Sequence, residues 1–263
     1  MAEWKDKQVV MVGAARQGVA LARYLAEQGA SVILNDRRPD EALQDARTEL
    51  SDLDIAWATG SHPFEILDGA DLVCLSGGIP LDLPLVKEAG RRNIPISNDS
   101  QIFLENTPCP VIGITGSAGK TTTTALVGEI ARQHFALRKP ENNVWVGGNI
   151  GNPLIQNLGD IQPGDLAVME LSSFQLEIMT TSPHIAAVLN LSPNHLDRHK
   201  TMSAYISAKS HILTYQGPDD VAVMNRDDFN VRELFPEVRG RQITFGLKPP
   251  FNKQDCTYYK RGK

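Results

Sequence analysis

Two apolar spacings alternate along the first third of the chain. Residues 9–12 form a short continuous apolar run closed by Gly13. Over 17–28, Val19, Leu21, Ala22, Leu25 and Ala26 recur at helical spacing, and Gly29 supplies a stop. Residues 31–34 read as the next strand, with Asp36 just past its end, and 71–75 as another, running into Ser76-Gly77-Gly78-Ile79-Pro80. Strands alternating with helices predict a parallel sheet covered by helices on both faces.

Residues 105–110, Glu-Asn-Thr-Pro-Cys-Pro, interrupt the pattern, and two prolines so close read as a linker. A second alternating series follows. Strands are expected at 111–115, 166–171, 185–191, 221–225 and 242–245, and helices at 120–133, 174–180, 203–214 and 227–235. The expected organisation is therefore an α/β domain over 1–106 and a second over 111–263. The last residues, from Pro249 on, carry no pattern that closes a domain.

Composition narrows the class. With 41% hydrophobic and 22% charged residues the chain reads as globular, and no apolar run reaches the length of a membrane span. No basic segment followed by an apolar core opens it, so a secretory signal is not expected. Cys74, Cys109 and Cys256 show neither metal-ligand spacing nor an even framework, which suits a reducing cytoplasm. A formal net charge of −5 argues against a general nucleic-acid binder. Anionic ligands remain possible, because backbone amides bind phosphate on acidic proteins too.

The strongest local signal is the apolar run 111–115 followed by Gly116-Ser117-Ala118-Gly119-Lys120-Thr121-Thr122. Glycines let the backbone curl so that N–H groups face phosphate oxygens, and the following helix adds its positive N-terminal end. Lys120 would meet the β- and γ-phosphates, and Thr121 would offer a hydroxyl to Mg²⁺. The full pattern places a glycine where Ile114 stands, so this is a shortened variant.

A second glycine turn, Gly13-Ala14-Ala15-Arg16-Gln17-Gly18, approximates the dinucleotide fingerprint, with Ala15 at its central glycine. Asp36 follows about 20 residues on, where an acid would meet a ribose hydroxyl. NAD, another pyrophosphate ligand such as a UDP-sugar, and a purely structural turn all fit this pattern. Farther on, Asn149 lies in a glycine-rich loop, Glu170 near a strand end, and His195 and Asp197 just past another strand. Polar residues at strand ends can converge on a metal and phosphates. Read singly, His195 is a surface residue, Ser172 and Ser173 are helix caps, and Lys209 is a solvated cation.

Together these strings resemble the Mur ligase family of bacterial cell-wall synthesis, over about residues 8–247. The most specific is Glu170-Leu171-Ser172-Ser173-Phe174-Gln175-Leu176-Glu177, supported by 147–151, 194–198 and 205–209. The resemblance implies a Rossmann-like parallel-sheet domain followed by a phosphate-loop ATPase domain. It implies ATP-driven amide formation through an acyl phosphate, with UDP-N-acetylmuramoyl-L-alanine and D-glutamate as substrates and ATP and Mg²⁺ as cofactors. Gln17, Gly18, Asp36, Arg37, Gly77 and Asn149 would contact the UDP-linked substrate. Gly116, Ser117, Ala118, Gly119, Lys120, Thr121, Thr122 and Asn225 would bind ATP. Thr121, Glu170, His195 and a carbamylated Lys209 would hold metal, with Lys120, His195 and Lys209 the catalytic set. Ala118 departs from the asparagine or histidine usual in the family. The family's third, C-terminal domain is not expected within these residues, so a fragment with little activity of its own is expected. A monomeric, cytoplasmic protein without membrane insertion completes the expectation. A sister Mur ligase, a folylpolyglutamate synthase and a non-catalytic nucleotide-binding module remain as alternatives.

Overall fold

A computed structural model describes residues 4–247, 249 and 255–258. It divides into two compact units. The first holds the residues up to Asn106 with the short segment Ile155–Gly159, and the second holds Thr107–Leu154 and the residues from Asp160 on.

In the first unit the elements run β1 (Gln8–Val12), α1 (Arg16–Glu27), β2 (Ser31–Asp36), α2 (Gln44–Glu49), β3 (Ile55–Thr59), β4 (Leu72–Leu75), α3 (Pro84–Arg91), β5 (Ile96–Ser97) and α4 (Asp99–Asn106). The strands form one parallel sheet in the order β3-β2-β1-β4-β5. Helices cover such sheets on both faces, so inner strands are apolar throughout. Val9, Val10, Met11 and Val12 are accordingly fully buried. The chain steps outward from β1 to β2 and β3, then returns to the other side of β1 with β4. That reversal opens a crevice beyond the carboxyl ends of β1 and β4, the usual ligand position in open α/β sheets.

The second unit runs β6 (Val111–Thr115), α5 (Lys120–Arg138), β7 (Val144–Gly148), β8 (Leu166–Glu170), α6 (Ser173–Leu176), β9 (Ile185–Val188), α7 (Leu196–His199), α8 (Met202–Thr214), β10 (Val221–Asn225), α9 (Phe229–Arg232), β11 (Arg241–Gly246) and β12 (Cys256–Tyr258). These strands also form one parallel sheet, ordered β12-β11-β10-β9-β6-β8-β7. Ile114, Val168 and Ala187 form one buried cluster on it, with Val127, Val146 and Val223 packed against them. β6 lies between β8 and β9, so the loops after these three strands emerge side by side.

Both parallel sheets match the α/β expectation. Several boundaries differ. The helix expected over 174–180 is the single turn α6, closed by a capping box between Ser172 and Gln175. The strand expected to reach 191 ends at Val188. β3, β5, β7, β12, α2–α4 and α7 are not anticipated by pattern. β7 ends in two glycines and reads as loop, yet it pairs with β8 along its whole length. Among the described residues no helix is long and apolar enough to cross a membrane.

Candidate functional site

The second unit builds its site from the strand ends upward. β6 runs into the turn 116–119, and Gly119 takes φ +79° to start α5, a left-handed conformation that suits glycine. α5 thus points its N-terminal N–H groups into the turn, where the first turn of a helix leaves them without intrahelical partners. Lys120 folds back, its ammonium donating to Gly116 O at 3.1 Å. The Thr121 hydroxyl donates to Glu170 Oε2 at 2.8 Å.

Glu170 closes β8 and is only 2% exposed. Its other oxygen accepts from Asn149 Nδ2 at 3.0 Å, and its carbonyl accepts from Asn149 N–H at 2.9 Å. Gly148 makes that approach possible. It sits at φ +99°, and a Cβ there would overlap Glu170 O. Asn149 is thus held against Glu170 by both its side chain and its main chain.

Lys209 is 1% exposed. α8, capped by the Thr201 hydroxyl, carries it to the underside of the same turn. Its ammonium donates to Thr115 Oγ1 at 3.0 Å, and Thr115 in turn donates to Leu171 O at 2.8 Å. Burial, reinforced by the nearby Lys120 charge, pulls the Lys209 pKa down to about 7, while Glu170 pulls it up. The solvated cation suggested by charge pattern is instead an enclosed amine.

His195 lies apart from this cluster in its contacts. Its backbone is left-handed at φ +52°, and its exposed ring packs 5.0 Å from that of Phe174. Phe174 stacks on His199 at 5.3 Å, and His199 meets Tyr205 edge-on at 5.4 Å. Tyr205 reaches the glycine turn, its hydroxyl 2.9 Å from Ser117 Oγ. Burial lowers the His199 pKa despite the opposing Glu177. Asn225 is engaged locally: Nδ2 donates to Leu189 O and Oδ1 accepts from Asp227 N–H, both at 2.9 Å. Asn190, His199 and Tyr205 are absent from the sequence-derived site. All three fall in or beside strings that sequence alone singles out, but their partners lie far along the chain.

The residues that would hold a divalent cation are oxygen donors. The Glu170 carboxylate and Thr121 hydroxyl are already side by side, which fits a hard ion such as Mg²⁺. Among the described residues no three His, Cys, Asp or Glu side chains converge into a complete cage. The arrangement suits an ion completed by phosphate oxygens and water.

In the first unit, the crevice between β1 and β4 is lined by the turn after Gly13 and the loop after Ser76. Gly77 N–H donates to Gln17 Oε1 at 3.2 Å. Gln17 Nε2 and Ser76 Oγ are buried there without a hydrogen-bond partner among the described residues. Unsatisfied buried polar atoms are costly, and a ligand is one way to satisfy them. Gly18 is required by close approach, because a Cβ on it would overlap Gly13 O. Asp36 is occupied internally. It accepts Ala14 N–H at 2.8 Å and the Arg38 guanidinium at 2.8 and 3.0 Å. Burial works against its charge, but these hydrogen bonds outweigh it and bring the pKa down to about 2. Arg38, rather than Arg37, is the arginine held beside the glycine turn.

A parallel sheet, a glycine turn with Lys-Thr at a helix start, and a buried carboxylate on the neighbouring strand define a protein of the phosphate-loop α/β class. Family models agree and go further. Residues 114–263 match the Mur ligase middle domain, and residues 7–98 match the Mur ligase MurD-like N-terminal domain. The chain belongs to the Mur ligase family. It is 41% identical, over 98% of its length, to the UDP-N-acetylmuramoylalanine–D-glutamate ligase of Symbiobacterium thermophilum, and 39% identical over 93% to that of Trichlorobacter lovleyi. It covers 57% and 56% of those two proteins. Among solved structures, the UDP-N-acetylmuramate:L-alanyl-gamma-D-glutamyl-meso-diaminopimelate ligase from Neisseria meningitides shares the fold. Its TM-score is 0.59 at 18% identity, covering 91% of this chain and 78% of that one. The UDP-N-acetylmuramate-alanine ligase from Thermotoga maritima gives a TM-score of 0.52 at 25% identity, covering 92% and 53%.

Proposed function

We propose that this chain carries the ATP site and the UDP-substrate site of a ligase that joins D-glutamate to UDP-N-acetylmuramoyl-L-alanine. The observation that carries the reading is the cluster of Lys120, Thr121, Glu170 and the enclosed Lys209 around one glycine turn. Relatives about 40% identical over nearly the whole chain bear that activity in their names.

In this reading Lys120 releases Gly116 O and turns to the β- and γ-phosphates of ATP, offsetting charge as the γ-phosphoryl group moves. Thr121 and Glu170 would hold Mg²⁺, and Asn149 keeps Glu170 oriented. Bound there, the ion would neutralise phosphate charge and align the transferring group. Lys209, with a pKa near neutrality, presents a fraction of free amine that can take up CO₂ as a carbamate. That modification would turn it into an oxygen ligand for a second ion, with His195 as partner. The L-alanine carboxylate attacks the γ-phosphorus of ATP, giving an acyl phosphate and releasing ADP. The D-glutamate amine displaces phosphate and forms the amide. Ligand contacts in the first unit come from Gln17, Gly18 and Gly77, with Asp36 and Arg38 bracing the glycine turn, and a UDP-sugar is preferred to NAD because Ala15 replaces the central glycine of the dinucleotide fingerprint.

Calorimetry with ATP–Mg²⁺ tests the second-unit site. Lys120→Ala should weaken binding about tenfold or more, the loss of a charge-assisted contact. Equal affinities in the two proteins would remove Lys120 from the site. Competition between UDP-N-acetylmuramoyl-L-alanine and NAD tests the first unit, where tight NAD binding unaffected by the UDP-sugar would overturn the substrate reading.

A further inference from the structure

We infer that Asn190 is a positioning residue that clamps the tip of the phosphate loop, leaving the N–H groups of Gly119, Lys120, Thr121 and Thr122 at the helix start to meet phosphate. This deepens, and rests on, the reading of 116–121 as the nucleotide cradle. The argument begins with the accounting of backbone groups. A phosphate-binding turn works through free N–H groups, so groups already donated elsewhere do not serve it. Ser117 N–H donates to Asn190 O at 2.9 Å. Ala118 N–H donates to Asn190 Oδ1 at 2.9 Å, and Asn190 Nδ2 donates back to Ala118 O at 2.9 Å. One side-chain amide thus pairs with both polar groups of one peptide residue, as a neighbouring strand would.

The arm that carries Asn190 is itself held. Leu189 O accepts from Asn225 Nδ2 at 2.9 Å, Leu191 N–H donates to Asp228 Oδ2 at 3.1 Å, and Leu191 O accepts from Asn230 Nδ2 at 2.6 Å. Ser192 extends the grip, its N–H donating to Ser117 Oγ and its carbonyl accepting from the same hydroxyl, each at 2.9 Å. The segment after β9 therefore connects β10 and α9 on one side to the glycine turn on the other. Asn190 acts on the main chain of residue 118, so its hold does not depend on which side chain stands there. Ala118 contributes no polar side chain, and the turn keeps its shape through Asn190.

Preorganisation of the turn matters in proportion to the phosphates it receives. The clamp should therefore support triphosphate binding and leave nucleoside monophosphate binding nearly untouched. Asparagine is specific for the task. Aspartate keeps the acceptor for Ala118 N–H but loses the donor to Ala118 O, and alanine loses both.

The test uses the full 263-residue chain and two readouts. The first is NMR amide exchange without nucleotide. Ala118 N–H should be protected in the unsubstituted protein, unprotected in Asn190→Ala, and intermediate in Asn190→Asp. The β6 and β8 amides should stay protected in each and serve as the folding control. If Asn190→Ala does not fold, Asn190→Asp carries the comparison. The second readout is calorimetry, where Asn190→Ala should weaken ATP–Mg²⁺ about tenfold while AMP affinity is unchanged. Ala118 protection that is absent in the unsubstituted chain, or unaffected by either substitution, overturns the clamp. An equal loss of ATP and AMP affinity overturns its action through the phosphate loop. Failure of the unsubstituted chain to bind ATP–Mg²⁺ would instead overturn the nucleotide reading, while the exchange data still read the Asn190 contacts by themselves.

Discussion

The ammonium of Lys209 is enclosed by Thr115, by the Tyr205 ring 5.1 Å away, and by the charges of Lys120 and Glu170. Its pKa, about 7 in the folded protein against 10.5 for an ordinary lysine, makes a pH prediction with a definite sign. Above about 10.5 both folded and unfolded chains hold a neutral amine, and the group costs nothing. As pH falls toward 7 the unfolded chain takes up the proton first, so stability declines, and below 7 the penalty is complete. Lys209→Met should therefore flatten the rise in denaturation midpoint between pH 7 and 10, with its largest gain over the unsubstituted protein near pH 6. An unchanged pH profile would contradict the enclosed amine. Asp36 has the opposite dependence. Its pKa of about 2, against 3.8, means that its stabilisation is present above 3.8 and is lost as pH falls through 2. Asp36→Ala should cost about 1–3 kcal/mol by leaving Ala14 N–H and Arg38 without their acceptor. Urea denaturation at pH 7 measures the loss.

At the level of elements, glycines set how closely loops and strands approach the two sites. Gly148 and Glu170 are neighbours in the β7–β8 ladder, and a side chain at Gly148 would collide with the carbonyl of Glu170 and adopt an unfavourable positive φ. Gly148→Ala should destabilise the chain by about 1–3 kcal/mol and weaken ATP–Mg²⁺ by displacing the carboxylate beside Thr121. Thermal denaturation and calorimetry on the same sample check both effects. A stable variant with full affinity would show that β7 does not position Glu170. The short α6 and α7 belong to the same scale. Neither has the length to be stable alone. They persist because Phe174, His199 and Tyr205 pack together and because Ser172 and Gln175 cap each other's backbone.

At the level of the whole chain, the two units carry separate sheets and separate candidate sites. Nucleotide should therefore act on one of them. ATP–Mg²⁺ at a hundred times its Kd should stabilise the second unit by about 2.7 kcal/mol. The gain should appear as added amide protection in β6, β8 and α5, with β1, β2 and β4 unaffected. UDP-N-acetylmuramoyl-L-alanine should protect the turn after Gly13 and the loop after Ser76. ATP-induced protection confined to the first unit would reverse the assignment of the two sites.

The α/β class and the phosphate loop were determined by local sequence. Continuous apolar strands, helical spacing and the glycine turn before Lys120-Thr121 are short-range features, and each implies its own geometry. The string from Glu170 to Glu177 pointed to the family for the same reason. Strand order was decided by tertiary structure, since pairing β6 with both β8 and β9 joins segments separated by long stretches of chain. So were the grip of Asn190 on Ala118, the engagement of Asp36 by Ala14 N–H, and the burial of Lys209. In each case the deciding partner is a backbone group or a charge brought near by packing. Periodicity records which face of an element is buried, whereas a hydrogen bond or a shifted pKa depends on what the folded chain places opposite it.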